Sequence, residues 1–132
     1  MGVAMAVAYY TLKGYTVSYP LTDNARYDLV VENRTLSRVQ CKTTRFIRDG
    51  RHYVAKLSTS GGNRSWSGVT KYLSAEECDL LFVFTFDGRC YEFGPEIFDG
   101  KGMIVLSPDK DAHVVWTIPL PSESLRVDSF AA

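Results

Sequence analysis

Apolar and polar residues alternate along two neighbouring stretches, Tyr27-Asp28-Leu29-Val30-Val31-Glu32 and Leu36-Ser37-Arg38-Val39-Gln40-Cys41-Lys42. A period of two marks a strand with one buried face. The polar break Asn33-Arg34-Thr35 between them predicts a hairpin with a three-residue loop. If Glu32 pairs with Leu36, Asp28 falls opposite Gln40, and Gln40 and Lys42 stand on Asp28's side of the sheet. A slip of one residue would send Asp28 to the other face, so the register decides whether these side chains meet.

The rest of the pattern predicts a mixed α/β sandwich with this hairpin at a sheet edge. Residues 2–13 are rich in Ala, Met and Leu and are followed by Gly14, which predicts a helix with a glycine stop. Residues 15–19 read as a short strand closed by Pro20, and 21–26 as a turn-rich approach to Asp28. Residues 43–50 form a basic extension. The Arg48-Asp49-Gly50-Arg51 segment is a hairpin signal leading into a strand at 52–59. Residues 60–68 are polar and Gly-rich, hence a loop, and 69–77 predict a short second helix. The nearly continuous apolar run 79–86 predicts a strand buried on both faces. Asp87-Gly88 turns it into a strand at 89–93. Residues 103–106 and 113–118 predict two more strands, with loops at 96–102 and 107–112.

Size and composition narrow the class. A chain of 132 residues predicts one domain with a modest core. No apolar run approaches the ~20 residues that span a membrane. The apolar start lacks a basic leader and runs into the domain, so it reads as the first helix rather than a signal peptide. The three cysteines, Cys41, Cys78 and Cys90, have no metal-ligand spacing, and an odd number argues against a disulfide framework. A reducing, cytoplasmic setting fits.

Formal charge sums to zero, but its distribution does not. Residues 26–71 hold ten Lys or Arg and three Asp or Glu, a net +7; the remainder holds five and twelve, a net −7. The basic segment contains Asp28 and Lys42. A polyanion such as a phosphate backbone would be drawn to that face in a salt-dependent way.

Asp28 followed by Gln40-Cys41-Lys42 resembles the PD-(D/E)xK nuclease core, with Gln40 where the family has Asp or Glu. The stretch from Gly14 to Thr44, the Thr59-Ser-Gly-Gly-Asn-Arg64 run and the strand Asp79-Leu-Leu-Phe-Val-Phe84 are similar to one branch, the homing endonucleases associated with group I introns, where a Q-x-K variant is also met. The resemblance covers roughly residues 2–95, and its extent divides the chain into a core at about 2–95 and a C-terminal extension at 96–132. It implies an α/β fold, a restriction-endonuclease-like core with a mixed β-sheet flanked by helices. The implied activity is hydrolysis of phosphodiester bonds in double-stranded DNA, with Mg2+ as cofactor and Mn2+ as a substitute. The implied catalytic residues are Asp28, Gln40 and Lys42.

Each implied role has a chemical reason. Asp28 offers an anionic oxygen to a hard cation, Gln40 a neutral oxygen, and Cys41 its backbone carbonyl. Lys42 would steady the attacking water or the phosphate charge. Arg38, Thr44, Arg45, Arg48, Arg51, Lys56, Asn63 and Arg64 are the expected DNA contacts. Cutting two strands takes two sites, which favours a homodimer or homotetramer associated with the nucleoid. The neutral Gln40 and the absence of any acid before Asp23, where many relatives draw one from the first helix, leave open a DNA-binding scaffold without catalysis. A junction resolvase, a restriction-type enzyme and an acidic protein-interaction module also stay open.

Overall fold

The computed structural model describes residues 1–22, 24–60 and 70–120. The Ala-rich first segment forms α1, Gly2–Leu12. It stops where predicted. Gly14 takes a φ of +84°, its N–H bonds to the Thr11 carbonyl, and Tyr15 N–H reaches back to the Tyr10 carbonyl. This left-handed closure favours glycine.

The chain then lays down β1 (Thr16–Ser18), β2 (Leu29–Asn33) and β3 (Thr35–Thr44). The hairpin has the expected register, with Glu32 opposite Leu36 and Asn33 opposite Thr35. Arg34 sits at its apex with a φ of 69°. Next come β4 (Ile47–Arg48) and β5 (His52–Lys56), joined through Asp49, Gly50 and Arg51, the first two at positive φ. Arg48 pairs with His52, and the Arg51 N–H closes the turn on the Arg48 carbonyl. A pair of two-residue strands, β6 (Thr59–Ser60) and β7 (Thr70–Lys71), follows.

β8 (Leu80–Thr85) and β9 (Arg89–Phe93) form the second long hairpin. α2 (Pro95–Phe98), β10 (Met103–Val105), a 3-10 segment (Pro108–His113) and β11 (Val114–Thr117) complete the described chain. Residues 96–102 and 107–112, expected as loops, thus contain short helical turns. Pro95 and Pro108 open them, where a missing N–H costs nothing.

The main sheet runs β1-β2-β3-β8-β9-β11, with β10-β5-β4 as a smaller sheet. β3 and β8 are parallel and the other neighbours in the main sheet are antiparallel, so the sheet is mixed. The hairpin β2–β3 therefore lies inside the sheet, not at an edge as the sequence predicts; β1 and β11 occupy the edges. The local hairpin signal is blind to β1 and β8, which pair on either side.

Two apolar clusters flank the sheet. On one face α1 sends Ala6 and Tyr10 onto Leu29, Val31, Val39, Cys41, Phe82, Phe84 and Cys90. On the other, Ala55 and Leu57 with Phe98, Ile104 and Leu106 cover Leu81, Val83, Tyr91 and Phe93. β8 is buried on both sides, as its apolar run predicts.

The predicted helix at 69–77 does not form in its described part. Thr70 and Lys71 belong to β7, and only a turn follows, in which Glu77 and Cys78 N–H groups bond to the Ser74 carbonyl. Groups a helix would use are taken elsewhere. Ala75 N–H bonds to Asp99 Oδ1, and the Ala75 and Glu76 carbonyls accept from Arg38. Tertiary partners outweigh a weak local propensity.

Candidate active site

Alternation along β2 and β3 sorts the side chains between the two faces. Leu29, Val39 and Cys41 go under α1. Asp28, Gln40 and Lys42 go to the opposite face and line one cavity of about 190 Å3. Asp28 stands just before β2 and extends its register, its N–H bonded to the Val39 carbonyl at 2.8 Å. The side chain is fixed from two directions: Asp28 Oδ2 accepts from Gln40 Nε2 at 3.1 Å and from the Cys41 backbone N–H at 2.8 Å. The three residues thus meet as the hairpin register requires.

The same cavity is lined by Arg26, Lys71 and Glu77, none of which the sequence pattern singles out. Arg26 Nε donates to Glu77 Oε2. The cavity wall carries three cations and two carboxylates, an excess of one positive charge that suits an anionic substrate. A signal for Glu77 exists, but it is not local. β3 runs parallel to β8 with Val39 beside Leu80, so residues just before β8 must come to lie near Arg38 and Gln40.

Arg38 shares the face of Gln40 and Lys42, but its guanidinium is engaged within the fold. It forks onto both oxygens of Asp79 at 3.1 Å and reaches the Glu76 and Ala75 carbonyls at 2.8 and 3.4 Å. Asp79 Oδ2 also accepts the Arg38 backbone N–H at 2.7 Å. The Arg38 guanidinium holds the Asp79 carboxyl below the usual carboxylate range. Asp79 therefore ties the start of β8 to β3.

The remaining expected DNA contacts are dispersed. Thr44 is buried and donates its hydroxyl to the Val54 carbonyl at 2.7 Å, so it ties β3 to β5. Arg45 and Lys56 line a separate groove of about 530 Å3 with Phe46 and Met103. The Arg45 guanidinium lies 5.9 Å from the Phe86 ring centre, and Phe46 is 65% exposed. Arg48 and Arg51 border a third concavity at the β4–β5 turn with Asp49 and His52. Asp23, Asn63 and Arg64 lie outside the described residues.

The site chemistry fits a hard divalent cation. The side chains that would hold it offer oxygen, one carboxylate and one amide. Both hydrogen bonds that Asp28 accepts from described side chains and amides fall on Oδ2, which leaves the Oδ1 lone pairs for a ligand. Among the described residues, no group of three His, Cys, Asp or Glu side chains gathers anywhere, this cavity included, so its oxygen donors are two carboxylates, an amide and backbone carbonyls. His113 instead packs on Phe93, with ring centres 5.0 Å apart. The Cys41 thiol is turned away under α1, and burial, with Asp28 nearby, pushes it up to about 12. Only the backbone of Cys41 faces the site.

The sequence model of the PD-(D/E)XK endonuclease family matches residues 1–109. No curated protein matches the chain. Among solved structures, the bacterial homing endonuclease I-Ssp6803I is similar in fold, with a TM-score of 0.69 at 22% identity over 95% of this chain and 82% of that one. No helix among the described residues is long and apolar enough to cross a membrane.

Proposed function

The chain belongs to the PD-(D/E)XK endonuclease family, and from that premise we propose that it hydrolyses phosphodiester bonds of double-stranded DNA in a metal-dependent reaction, after the manner of intron-encoded homing enzymes. The observation that carries this reading is the meeting of Asp28, Gln40 and Lys42 in one cavity with a positive balance of charge.

In this reading Asp28 and Gln40, with the Cys41 carbonyl, hold Mg2+ or Mn2+. When bound there, the ion would serve as a Lewis acid toward the scissile phosphate and would lower the pKa of its water. Gln40 and the Cys41 amide orient the Asp28 carboxylate through Oδ2. Lys42, two residues along the same strand face, offsets the charge that builds on the phosphate. Arg26 and Lys71 draw the backbone into the cavity. A second copy supplies the second site for the other strand.

The test is cleavage of supercoiled plasmid and of the host's native locus with Mg2+, with Mn2+ and with EDTA, comparing the wild type with Asp28→Asn. Metal-dependent cutting that vanishes in the variant is the expected result. Salt-sensitive DNA binding without cutting, indifferent to EDTA, would instead identify a scaffold that binds DNA without catalysis.

A further inference from the structure

Asp28 is the one anionic ligand in the centre described above, and Gln40 is neutral. Affinity for a hard cation rises with the number of charged oxygens around it. The cavity holds a second carboxylate, Glu77.

Its placement is firmly built. The turn from Ser74 to Cys78 is held by Arg38 through the Ala75 and Glu76 carbonyls, by Asp99 through the Ala75 N–H, and by the fully buried Cys78. Arg38 lies two residues before Gln40 on the same face of β3, so one clamp fixes the turn and the site strand to each other. A surface ion pair alone would not need such support. The Arg26–Glu77 side chains are 42% and 31% exposed, and pairs at that exposure add little to stability. Arg26 in turn lies two residues before Asp28 and lines the same cavity.

Resting on the reading of this cavity as a metal centre, we infer that Glu77 is its second carboxylate ligand, held on Arg26 when the metal is absent. Binding of the cation takes Glu77 from Arg26 and frees the guanidinium for a phosphate oxygen. Metal and DNA then favour each other's binding, and by linkage the coupling is the same in both directions.

The test titrates Mn2+ by calorimetry into the wild type, Glu77→Gln, Glu77→Asp, Arg26→Ala and Asp28→Asn, with thermal unfolding as a check on folding. Binding of a short labelled DNA duplex is measured in EDTA. Glu77→Gln is expected to weaken Mn2+ binding by on the order of ten-fold, and Glu77→Asp to restore part of it. Arg26→Ala breaks the same pair but keeps the acid, so it should bind Mn2+ at least as tightly as the wild type. In EDTA, Glu77→Gln should bind the duplex more tightly, because Arg26 is free. Equal effects of Glu77→Gln and Arg26→Ala on Mn2+ binding would mean a structural ion pair and overturn the inference. So would wild-type affinity in Glu77→Gln while Asp28→Asn loses binding, a result that leaves the metal centre standing. No Mn2+ binding by the wild type would overturn both.

Discussion

Gln40 donates its amide to the carboxylate of Asp28 across the β2–β3 hairpin, at 3.1 Å. The bond orients Asp28 and uses the one group that a glutamate in this place would lack. Gln40→Glu therefore sets two carboxylates against each other in the metal-free protein and raises the pKa of one of them. The expected outcome is a loss of about 1 kcal/mol of stability in EDTA, combined with tighter Mn2+ binding. Thermal unfolding in EDTA and in Mn2+ reads both effects. An unchanged metal titration would remove Gln40 from the ligand set.

Lys42 stands one strand repeat beyond Gln40 on the same face, and among the described residues it forms no ion pair. Its charge is therefore available to a substrate. Lys42→Ala should lower the cleavage rate by on the order of 10²-fold or more, with unfolding and DNA binding little changed. Plasmid nicking and fluorescence anisotropy of a labelled duplex separate the two effects. Retained cleavage would take Lys42 out of the mechanism.

The hairpin was legible because its determinants are local: period-two alternation, a polar break and a register that one pair defines. The Asp49-Gly50 turn and the glycine stop of α1 were legible for the same reason. The neighbours of the hairpin were not. β3 pairs in parallel with β8, some forty residues away, and nothing local encodes that contact. It turns a presumed edge into the middle of the sheet and brings Glu77 to the cavity. The failed helix after Lys71 shows the converse, since its N–H and C=O groups answer to Arg38 and Asp99, which no window around residues 69–77 contains.

Arg38 and Asp79 give a pH dependence with a definite sign. The folded-state pKa of Asp79 is depressed, chiefly by the Arg38 hydrogen bond. Such a group adds stability above its unfolded pKa of about 3.9, and that stability is lost as pH falls through the lower folded value. The stability difference between the wild type and Asp79→Asn should therefore shrink below about pH 4. Salt should reduce it as well, because both side chains are more than a third exposed or close to it. Urea unfolding at pH 7 and at pH 3 checks this; a difference that grows in acid would contradict the depressed pKa.

The three cysteines predict a quiet surface. Cys41, Cys78 and Cys90 are all buried, and burial pushes their thiols up to about 12, about 11 and about 11. The thiolate is the reactive form. Iodoacetamide at pH 8 should leave the native protein unlabelled and modify all three residues in urea, as mass spectrometry reads. Rapid native labelling of Cys41 would show that α1 opens from the sheet.

α1 rests on the back of the site strand through Gly2. A Cβ added there would lie 2.8 Å from the Lys42 carbonyl oxygen and 2.7 Å from Thr43 Oγ1. The Lys42 contact is with backbone, so it is relieved only if α1 or β3 moves. Gly2→Ala should cost about 1–3 kcal/mol and should also shift Lys42, on the other side of the same strand. Gly14→Ala is the control. Its position has open space around it but a φ of +84°, so the strain costs stability at the far end of α1 without pressing on β3. Urea unfolding should show both variants destabilised. Cleavage measured where both are folded should fall in Gly2→Ala and hold in Gly14→Ala; equal activities would mean that the seating of α1 on β3 does not position Lys42.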